Sequence, residues 1–344
     1  MTISRRYFLL GLLGLPAGLA ACVGDPANRN LIASPSPVPS GGTFSFAIQA
    51  DPHLDEQSDP ELFRKTLQSI RKAQPKFLID LGDDFMIDKL QNPTDATMRA
   101  RYELLKSYYA ELGSEVPLHF AMGNHDGELG WDPLNTHKLR KEYFPDQTFP
   151  LNYYSLSYGD ALCVVIDPFS YTTTKPGKDG WNWSLGREQY DWLTKTLETS
   201  TASKKFIFTH QLVGGDSQGR GGVEWAHLYE WGGKNLDGTA GFAQHRAGWA
   251  KPIHQLFVDT KVTAVFKGHD HLYCQQSLDG LTYQTLPQPS HPGTALNNDA
   301  ANYGYKTGTL KGGSGFLLVT VGSQTVDVSF IDPTGAPVTK YSIT

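Results

Sequence analysis

Gly123-Asn124-His125-Asp126 directly follows the apolar run Pro117–Met122 and places an amide, an imidazole and a carboxylate at the end of a predicted strand. Four other segments have the same construction, a hydrophobic run that ends in metal-binding side chains. They are Asp51-Pro52-His53, Gly82-Asp83, His210 after Phe206-Ile207-Phe208-Thr209, and Gly268-His269-Asp270-His271. When such groups converge they can hold two divalent cations side by side, a recurring device for displacement at phosphorus.

Hydrophobic runs and amphipathic stretches alternate in the first part of the chain. Strands and helices are predicted in the order Thr43–Ala50, Pro60–Arg71, Lys76–Leu81, Ala96–Leu112 and Pro117–Met122. Asp59 can cap the first helix, and Pro60 fits its first turn. Strand–helix–strand order is typical of parallel sheets, in which ligands bind beyond the carboxyl ends of the strands. We therefore expect the five segments to meet in one crevice.

The second part of the chain continues this pattern around one long irregular segment. A hairpin is predicted from Tyr153–Tyr158 and Ala161–Asp167, and helices over Arg187–Glu198 and Ile253–Val258. Further strands are predicted over Lys205–Thr209, Val262–Phe266, Leu281–Leu286, Phe316–Val321 and Thr325–Ile331. Residues 214–250 form a Gly-rich insert with several aromatic residues. Loops of this length are usually lids, binding loops or disordered, and the aromatic content argues against disorder.

Composition sets broad limits on the function. A hydrophobic content of 39% is sufficient for a sizeable core, and a formal net charge of -5 is mild for 344 residues. The sequence contains no basic stripe of the kind that would indicate a nucleic-acid-binding surface. Besides Cys22, the chain contains Cys163 and Cys274, and the sequence leaves open whether these two form a disulfide.

The N-terminus has the pattern of an export signal. Arg5-Arg6 precedes an apolar stretch from Leu10 to Ala21, which resembles a twin-arginine signal, and Leu19-Ala20-Ala21-Cys22 resembles a lipoprotein processing site. We predict a signal peptide over residues 1–21, a Pro/Ser/Gly-rich tether over 22–42 and a catalytic domain over 43–344. The expected location is the cell envelope or periplasm, with a lipid on Cys22 as the membrane anchor. An ordinary signal peptide with an incidental Cys22 is the alternative.

Taken in order, the five segments resemble the calcineurin-like metallophosphoesterase superfamily over about Phe44 to Tyr273. The resemblance implies an α/β sandwich of mixed β-sheets flanked by helices, with a dinuclear metal site at the carboxyl ends of the strands. It also implies that Asp83 bridges the two metals. By the same resemblance, one metal is held by Asp51, His53, Asp83 and His271, and the other by Asp83, Asn124, His210 and His269.

The implied reaction is hydrolysis of a phosphoester. A bridging hydroxide would attack phosphorus in line, His125 would protonate the leaving group, and Asp126 would orient that histidine. Oxygen and nitrogen donors without a thiolate suit Fe, Mn, Zn or Ni. Met86 stands where the purple acid phosphatase branch of the superfamily has a tyrosine, so an iron–tyrosinate site is disfavoured. The sequence leaves the metal and the oligomeric state open.

Substrate identity is the least determined part of the prediction. We expect a phosphatase of small phosphomonoesters. Arg220 and Arg246 of the insert are candidates to bind the phosphate, and a surface arginine without a role in binding is the alternative for each. One alternative is a phosphodiesterase that acts on nucleotides or phospholipid headgroups. A more remote one is a metal-binding surface lipoprotein without catalytic activity.

Overall fold

Two mixed β-sheets pack face to face and carry helices on their outer faces. The computed structural model describes residues 32–33, 42–54, 58–128, 138–146, 151–171, 179–216, 218–292 and 297–344. The predicted signal peptide and almost all of the predicted tether, Cys22 included, lie outside these residues. Ile32–Thr344 form one compact unit. None of the helices within the described ranges is long and apolar enough to cross a membrane.

The elements follow one another as an α/β chain. The strands are β1 (Ile32–Ala33), β2 (Phe44–Gln49), β3 (Leu78–Asp80), β4 (Leu118–Phe120), β5 (Tyr154–Tyr158), β6 (Ala161–Val165), β7 (Ser170–Tyr171), β8 (Trp183–Ser184), β9 (Lys204–Thr209), β10 (Ala264–Lys267), β11 (Tyr273–Leu278), β12 (Leu281–Thr285), β13 (Thr309–Lys311), β14 (Phe316–Val321), β15 (Val326–Ile331) and β16 (Pro337–Ile343). The helices are α1 (Pro60–Ala73), α2 (Asp95–Tyr109), α3 (Lys138–Tyr143), α4 (Arg187–Thr199), α5 (Tyr229–Gly232), α6 (Phe242–His245), α7 (Ile253–Asp259) and α8 (Asn297–Asn302).

The strand order places the carboxyl ends of several parallel strands together. One sheet has the order β1-β5-β6-β9-β10-β12-β11-β13, and the other β16-β15-β14-β2-β3-β4. In the second sheet β2, β3 and β4 are parallel neighbours, and in the first β6, β9, β10 and β12 are. The predicted parallel units and the predicted hairpin, now β5 and β6, are confirmed. A small pair, β7 with β8, stands apart from both sheets.

The core between the sheets is largely aromatic. The Phe46 ring of β2 lies 5.4 Å from the ring of Phe206 and 5.8 Å from that of Phe208, both on β9. Helices α1 and α2 cover one sheet, and α4 and α7 cover the other. Asp59 caps α1 as predicted, because its Oδ1 accepts the amides of Glu61 and Leu62 at 2.9 and 3.1 Å. The two sheets pack against each other through their apolar faces, and this core holds the polar ends of the strands in place.

The insert is ordered over most of its length. It contains the short helices α5 and α6, and Trp231 is fully buried among the side chains of α7. The Trp231 Nε1 donates to the Tyr283 hydroxyl on β12 at 3.0 Å. The aromatic side chains of this segment therefore fix it against the first sheet.

Cys163 and Cys274 are both buried and unpaired. Cys163 lies on β6 and Cys274 on β11, with three strands between them. Four strand spacings amount to about 19 Å, far beyond the span of a disulfide. The question that the sequence left open is thus answered by the strand order.

Candidate metal centre

Each predicted ligand follows a strand of the parallel parts of the two sheets. Asp51 and His53 come after β2, Asp83 after β3, and Asn124 after β4. His210 follows β9, while His269 and His271 follow β10. Because these strands end at the same edge, all seven side chains face a common space between the sheets. Six of them form two groups of three, each with its donor atoms within 4.8 Å of one another.

The first group is Asp51, His53 and His271. The Asp51 Oδ1 lies 3.8 Å from the His53 Nε2 and 3.4 Å from the His271 Nε2. Its Oδ2 accepts the backbone amide of His269 at 2.9 Å, which fixes the carboxylate with Oδ1 toward the histidines. One carboxylate oxygen and two imidazole nitrogens therefore face a single point.

The second group is Asp83, His210 and His269, with Asn124 beside them. The His210 Nδ1 donates to the Leu81 carbonyl at 2.9 Å, so the Nε2 of the neutral ring presents its lone pair to the cluster. That Nε2 lies 3.1 Å from the Asp83 Oδ2 and 3.0 Å from the Asn124 Oδ1. An imidazole nitrogen, a carboxylate oxygen and an amide oxygen thus meet at one point, and this donor set suits a divalent cation.

Asp83 lies between the two groups. Its Oδ2 is 3.8 Å from the His53 Nε2 of the first group and 3.1 Å from the His210 Nε2 of the second. The Asp51 Oδ1, the Asp83 Oδ2 and both ring nitrogens of His53 are buried without a hydrogen-bond partner. Unpartnered buried polar atoms are costly, and a cation bound among them would remove that cost. The donor set therefore fits two metal ions that share Asp83.

Five of the predicted ligands adopt an unusual backbone conformation. Their φ angles are positive, at 60° for Asp51, 45° for His53, 60° for Asp83, 70° for His269 and 58° for His271. Left-handed backbone is strained for residues with a side chain and concentrates at functional sites. For the last pair it also explains how two histidines only two positions apart reach different groups. Gly123 is required at its turn, because a Cβ there would lie 2.1 Å from the Asp83 Oδ1.

The buried charges of the site shift one another's pKa. Burial opposes ionisation of Asp51, but the neighbouring histidines hold its pKa well below the usual range. Burial also opposes charge on His210, yet the Asp83 and Asp51 carboxylates raise its pKa to about 9. Burial lowers the pKa of His269, and the charges of His210 and Arg220 act in the same direction. Protons and metal ions therefore compete for the same donor atoms.

His125 and Asp126 lie at the turn after β4 that also carries Asn124. The His125 Nε2 is 4.0 Å from the Asp83 Oδ2, and its side chain is 14% exposed, so it borders the cluster and reaches solvent. The Asp126 Oδ2 accepts the amides of Gly123 at 2.7 Å and Asp83 at 3.0 Å. Asp126 therefore connects the turn of Asn124 to the segment that carries Asp83.

A buried polar network under the site was not expected from the sequence. Arg140 of α3 forms ion pairs of 3.1 Å with both Asp84 and Asp126 and donates to the Ala121 carbonyl at 3.2 Å. Asp84 also accepts from the Tyr109 hydroxyl at 3.3 Å. Burial raises the pKa of Asp84, and the neighbouring carboxylate of Asp80 adds to the rise. The adjacent acids Asp83 and Asp84 were visible in the sequence, but nothing there indicated Arg140.

The two candidate substrate arginines of the insert have different surroundings. The Arg246 Nε forms a buried ion pair with Glu230, and its Nη2 donates to the carbonyls of Trp181 and Trp183 at 2.9 and 2.8 Å. These contacts engage the Arg246 guanidinium with Glu230 of the insert and with the segment around Trp181 and Trp183. Arg220 is half-buried and donates through Nη1 to the carbonyl of the ligand His269 at 3.4 Å. Of the two, only Arg220 contacts the ligand segments within the described residues.

Several solved structures share this fold. Purple acid phosphatase PPD1 from yellow lupin (Lupinus luteus) has a TM-score of 0.59 at 14% identity, with 91% of this chain and 55% of that chain covered. PhoD has a TM-score of 0.62 at 13% identity, with 90% and 70% covered. A dimetal phosphatase from Danio rerio has a TM-score of 0.57 at 14% identity, with 88% and 98% covered. The chain spans about half the length of the lupin protein, and identities this low show the fold alone.

The sequence itself carries the family assignment. No curated protein matches the chain significantly. A sequence profile described as calcineurin-like phosphoesterase matches residues 44–273, which contain all seven of the predicted ligands. The predicted fold is therefore confirmed. The family match also confirms the predicted class of enzyme, a metallophosphoesterase. The chain belongs to the calcineurin-like phosphoesterase family.

Proposed function

We propose that this protein hydrolyses small phosphomonoesters at a dinuclear metal centre. The observation that carries the proposal is the pair of buried donor groups that share Asp83 and leave acceptor atoms of Asp51, Asp83 and His53 without partners. Metal ions bound there would lower the pKa of water and neutralise charge on the phosphoryl oxygens. Asp51, His53, Asp83 and His271 would hold one ion, and Asp83, Asn124, His210 and His269 the other.

The protein's own groups complete the reaction around these ions. His125 borders the cluster and reaches solvent, where it can donate a proton to the leaving alkoxide. Asp126 keeps the turn of His125 in place through backbone amides, and we propose that it also orients the imidazole. Fe, Mn, Zn and Ni all suit this set of oxygen and nitrogen donors.

The proposal is tested by separating metal binding from activity. His125→Asn removes the proton donor and none of the proposed ligands, so it should retain two metals per chain while hydrolysis of an alkyl phosphate such as glycerol 2-phosphate, whose leaving alkoxide needs a proton, falls about 100-fold or more. His227→Asn changes an exposed histidine of the insert and serves as the matched control. Elemental analysis gives the metal content, and initial rates give the activity. Metal-loaded wild type that hydrolyses no phosphoester would instead favour a non-catalytic metal-binding protein.

A second proposal concerns where the protein acts. We propose export through the twin-arginine signal over residues 1–21 and attachment to a membrane through a lipid on Cys22. The Pro/Ser/Gly-rich composition of residues 23–42 supports this, because a flexible tether suits a domain held off a lipid surface. Cys22→Ala should release the protein from the membrane fraction. Arg5→Lys combined with Arg6→Lys should block export, and mass spectrometry of the mature N-terminus checks the lipid.

A further inference from the structure

Main-chain hydrogen bonds connect the segment that contains Arg220 to the loop after β10. Its amide donates to the Asp216 Oδ1 at 2.9 Å, and its carbonyl accepts the Asp216 amide at 2.9 Å. The next amide, of Gly221, donates to the Asp270 Oδ2 at 3.0 Å. Asp270 lies between the ligands His269 and His271, so the insert and the loop after β10 form one connected unit at this point.

The Arg220 side chain is held in a defined orientation. Its guanidinium carbon lies 4.4 Å from the centre of the Tyr303 ring, and Nη1 donates to the His269 carbonyl. Tyr303 follows α8, and its carbonyl accepts the Trp225 Nε1 at 3.3 Å, which ties it to the insert. Stacking on an aromatic ring orders a planar guanidinium, so that less freedom is lost when it binds an anion.

Unlike the buried cations near the site, the Arg220 side chain forms no ion pair with a described carboxylate. Arg140 is paired with Asp84 and Asp126, and Lys267 with Asp270 at 2.8 Å. In the described part of the chain, no carboxylate lies within salt-bridge distance of Arg220. A half-buried guanidinium beside a metal site, ordered and without an anion of its own, is suited to bind one from the substrate.

Charge balance indicates which anion this is. Two divalent ions and one hydroxide, set against the carboxylates of Asp51 and Asp83, leave about one net positive charge, which matches a phosphodiester. Arg220 raises this to about two, which matches the dianion of a phosphomonoester. Building on the proposed phosphoesterase function, we propose that Arg220 is a specificity-determining residue that favours phosphomonoesters over phosphodiesters by binding the additional charged oxygen.

The test compares two esters with the same leaving group. Arg220→Gln removes the charge, Arg220→Lys keeps it without the planar fork, and Lys234→Gln removes an exposed charge from the same insert as the control. In Arg220→Gln, kcat/KM for p-nitrophenyl phosphate should fall at least about tenfold more than for bis-p-nitrophenyl phosphate. The loss of kcat/KM in Arg220→Lys should lie between those of the wild type and Arg220→Gln. Lys234→Gln should have the kcat/KM of the wild type for both esters. Equal losses for the two esters would overturn the proposal.

A binding measurement makes the result independent of turnover. Inorganic phosphate near pH 8 is a dianion, and calorimetric titration of the metal-loaded proteins gives its affinity directly. Arg220→Gln should bind phosphate at least about tenfold more weakly than the wild type, with Lys234→Gln unchanged. Unchanged affinity in Arg220→Gln would overturn the role of the arginine even in an active enzyme. Wild type without activity on either ester would contradict the proposed function instead, while the titration would still decide the role of Arg220.

Discussion

The Oδ2 of Asp51 accepts the backbone amide of His269 at 2.9 Å, joining the first and the last ligand segments of the chain. Asp51 follows β2 in one sheet, and His269 follows β10 in the other. One carboxylate oxygen thus connects the two sheets, while the other faces the histidines of the first donor group. A Cβ on Gly268 would lie 2.6 Å from the same Oδ2, so this close approach depends on a glycine.

Asp51→Asn should separate these two roles of the carboxylate. The amide oxygen can still accept from His269, so the fold should be retained, but the negative charge facing His53 and His271 is lost. We expect the bound metal to fall to about one per chain and activity to fall by more than about 100-fold. Elemental analysis measures the bound metal, and circular dichroism checks that the fold is retained. Asp167→Asn, a buried acid after β6 outside both donor groups, should keep both metals.

Asp126→Asn should affect the metal centre and not only proton transfer. Both Asp126 oxygens accept, from the amides of Gly123 and Asp83 and from Arg140. An amide group must turn an NH₂ toward one of these donors, which costs about 1–3 kcal/mol in a buried position. We expect weaker metal binding together with lower kcat, whereas His125→Asn lowers kcat alone. Titration of metal into the two metal-free variants distinguishes these effects, because only Asp126→Asn should bind metal more weakly. Wild-type metal affinity in Asp126→Asn would contradict the positioning role.

The sequence predicted those elements whose hydrophobic pattern is strong. The parallel strands β3, β4, β9 and β10 contain apolar runs that end in Gly or in a predicted ligand, so their bounds were close to those observed. The structure adds β16, which starts at Pro337 and has an exposed or half-exposed pattern throughout. Pairing with β15 makes it a strand, and such pairing leaves no hydrophobic signal in the sequence. The polar strand β11, with the buried Gln276, was missed for a similar reason.

The convergence of the predicted ligands was predictable because a metal-binding side chain and a strand end coincide at each of them. The supporting residues were not, since they depend on tertiary contacts. Helix α3 has only six residues, which is too few to show a helical period in the sequence. It contains Arg140, which pairs with Asp84 and Asp126. The two insert arginines looked alike in sequence, and only their partners distinguish Arg246, paired with Glu230, from Arg220.

His119 predicts a loss of stability in acid. Burial on β4 lowers its pKa from 6.5 to about 4, so between these values the unfolded chain binds the proton more tightly. Stability therefore decreases as the pH falls through this window, by about 2 kcal/mol between pH 7 and 4.5. His119→Gln should remove this contribution to the loss of stability in acid, because glutamine does not titrate. Urea unfolding of both metal-free proteins at the two pH values measures it, and equal pH dependence would contradict the prediction.

Arg246→Met should destabilise the protein and leave its chemistry intact. Arg246 is 5% exposed and pairs with Glu230, which is fully buried, so the substitution leaves an uncompensated carboxylate. Breaking such a pair from one side costs about 3–5 kcal/mol.

Glu230→Gln added to Arg246→Met should restore part of this stability, because the buried charge is then absent. Burial already raises the pKa of Glu230, and loss of the arginine raises it further. Since a protonated Glu230 carries no charge, the single variant should be less destabilised, relative to wild type, at pH 5 than at pH 8. Unfolding curves at both pH values check this, with kcat/KM of the folded protein expected to stay within about twofold of wild type. A large loss of kcat/KM without loss of stability would instead give Arg246 the substrate-binding role that its contacts in the insert argue against.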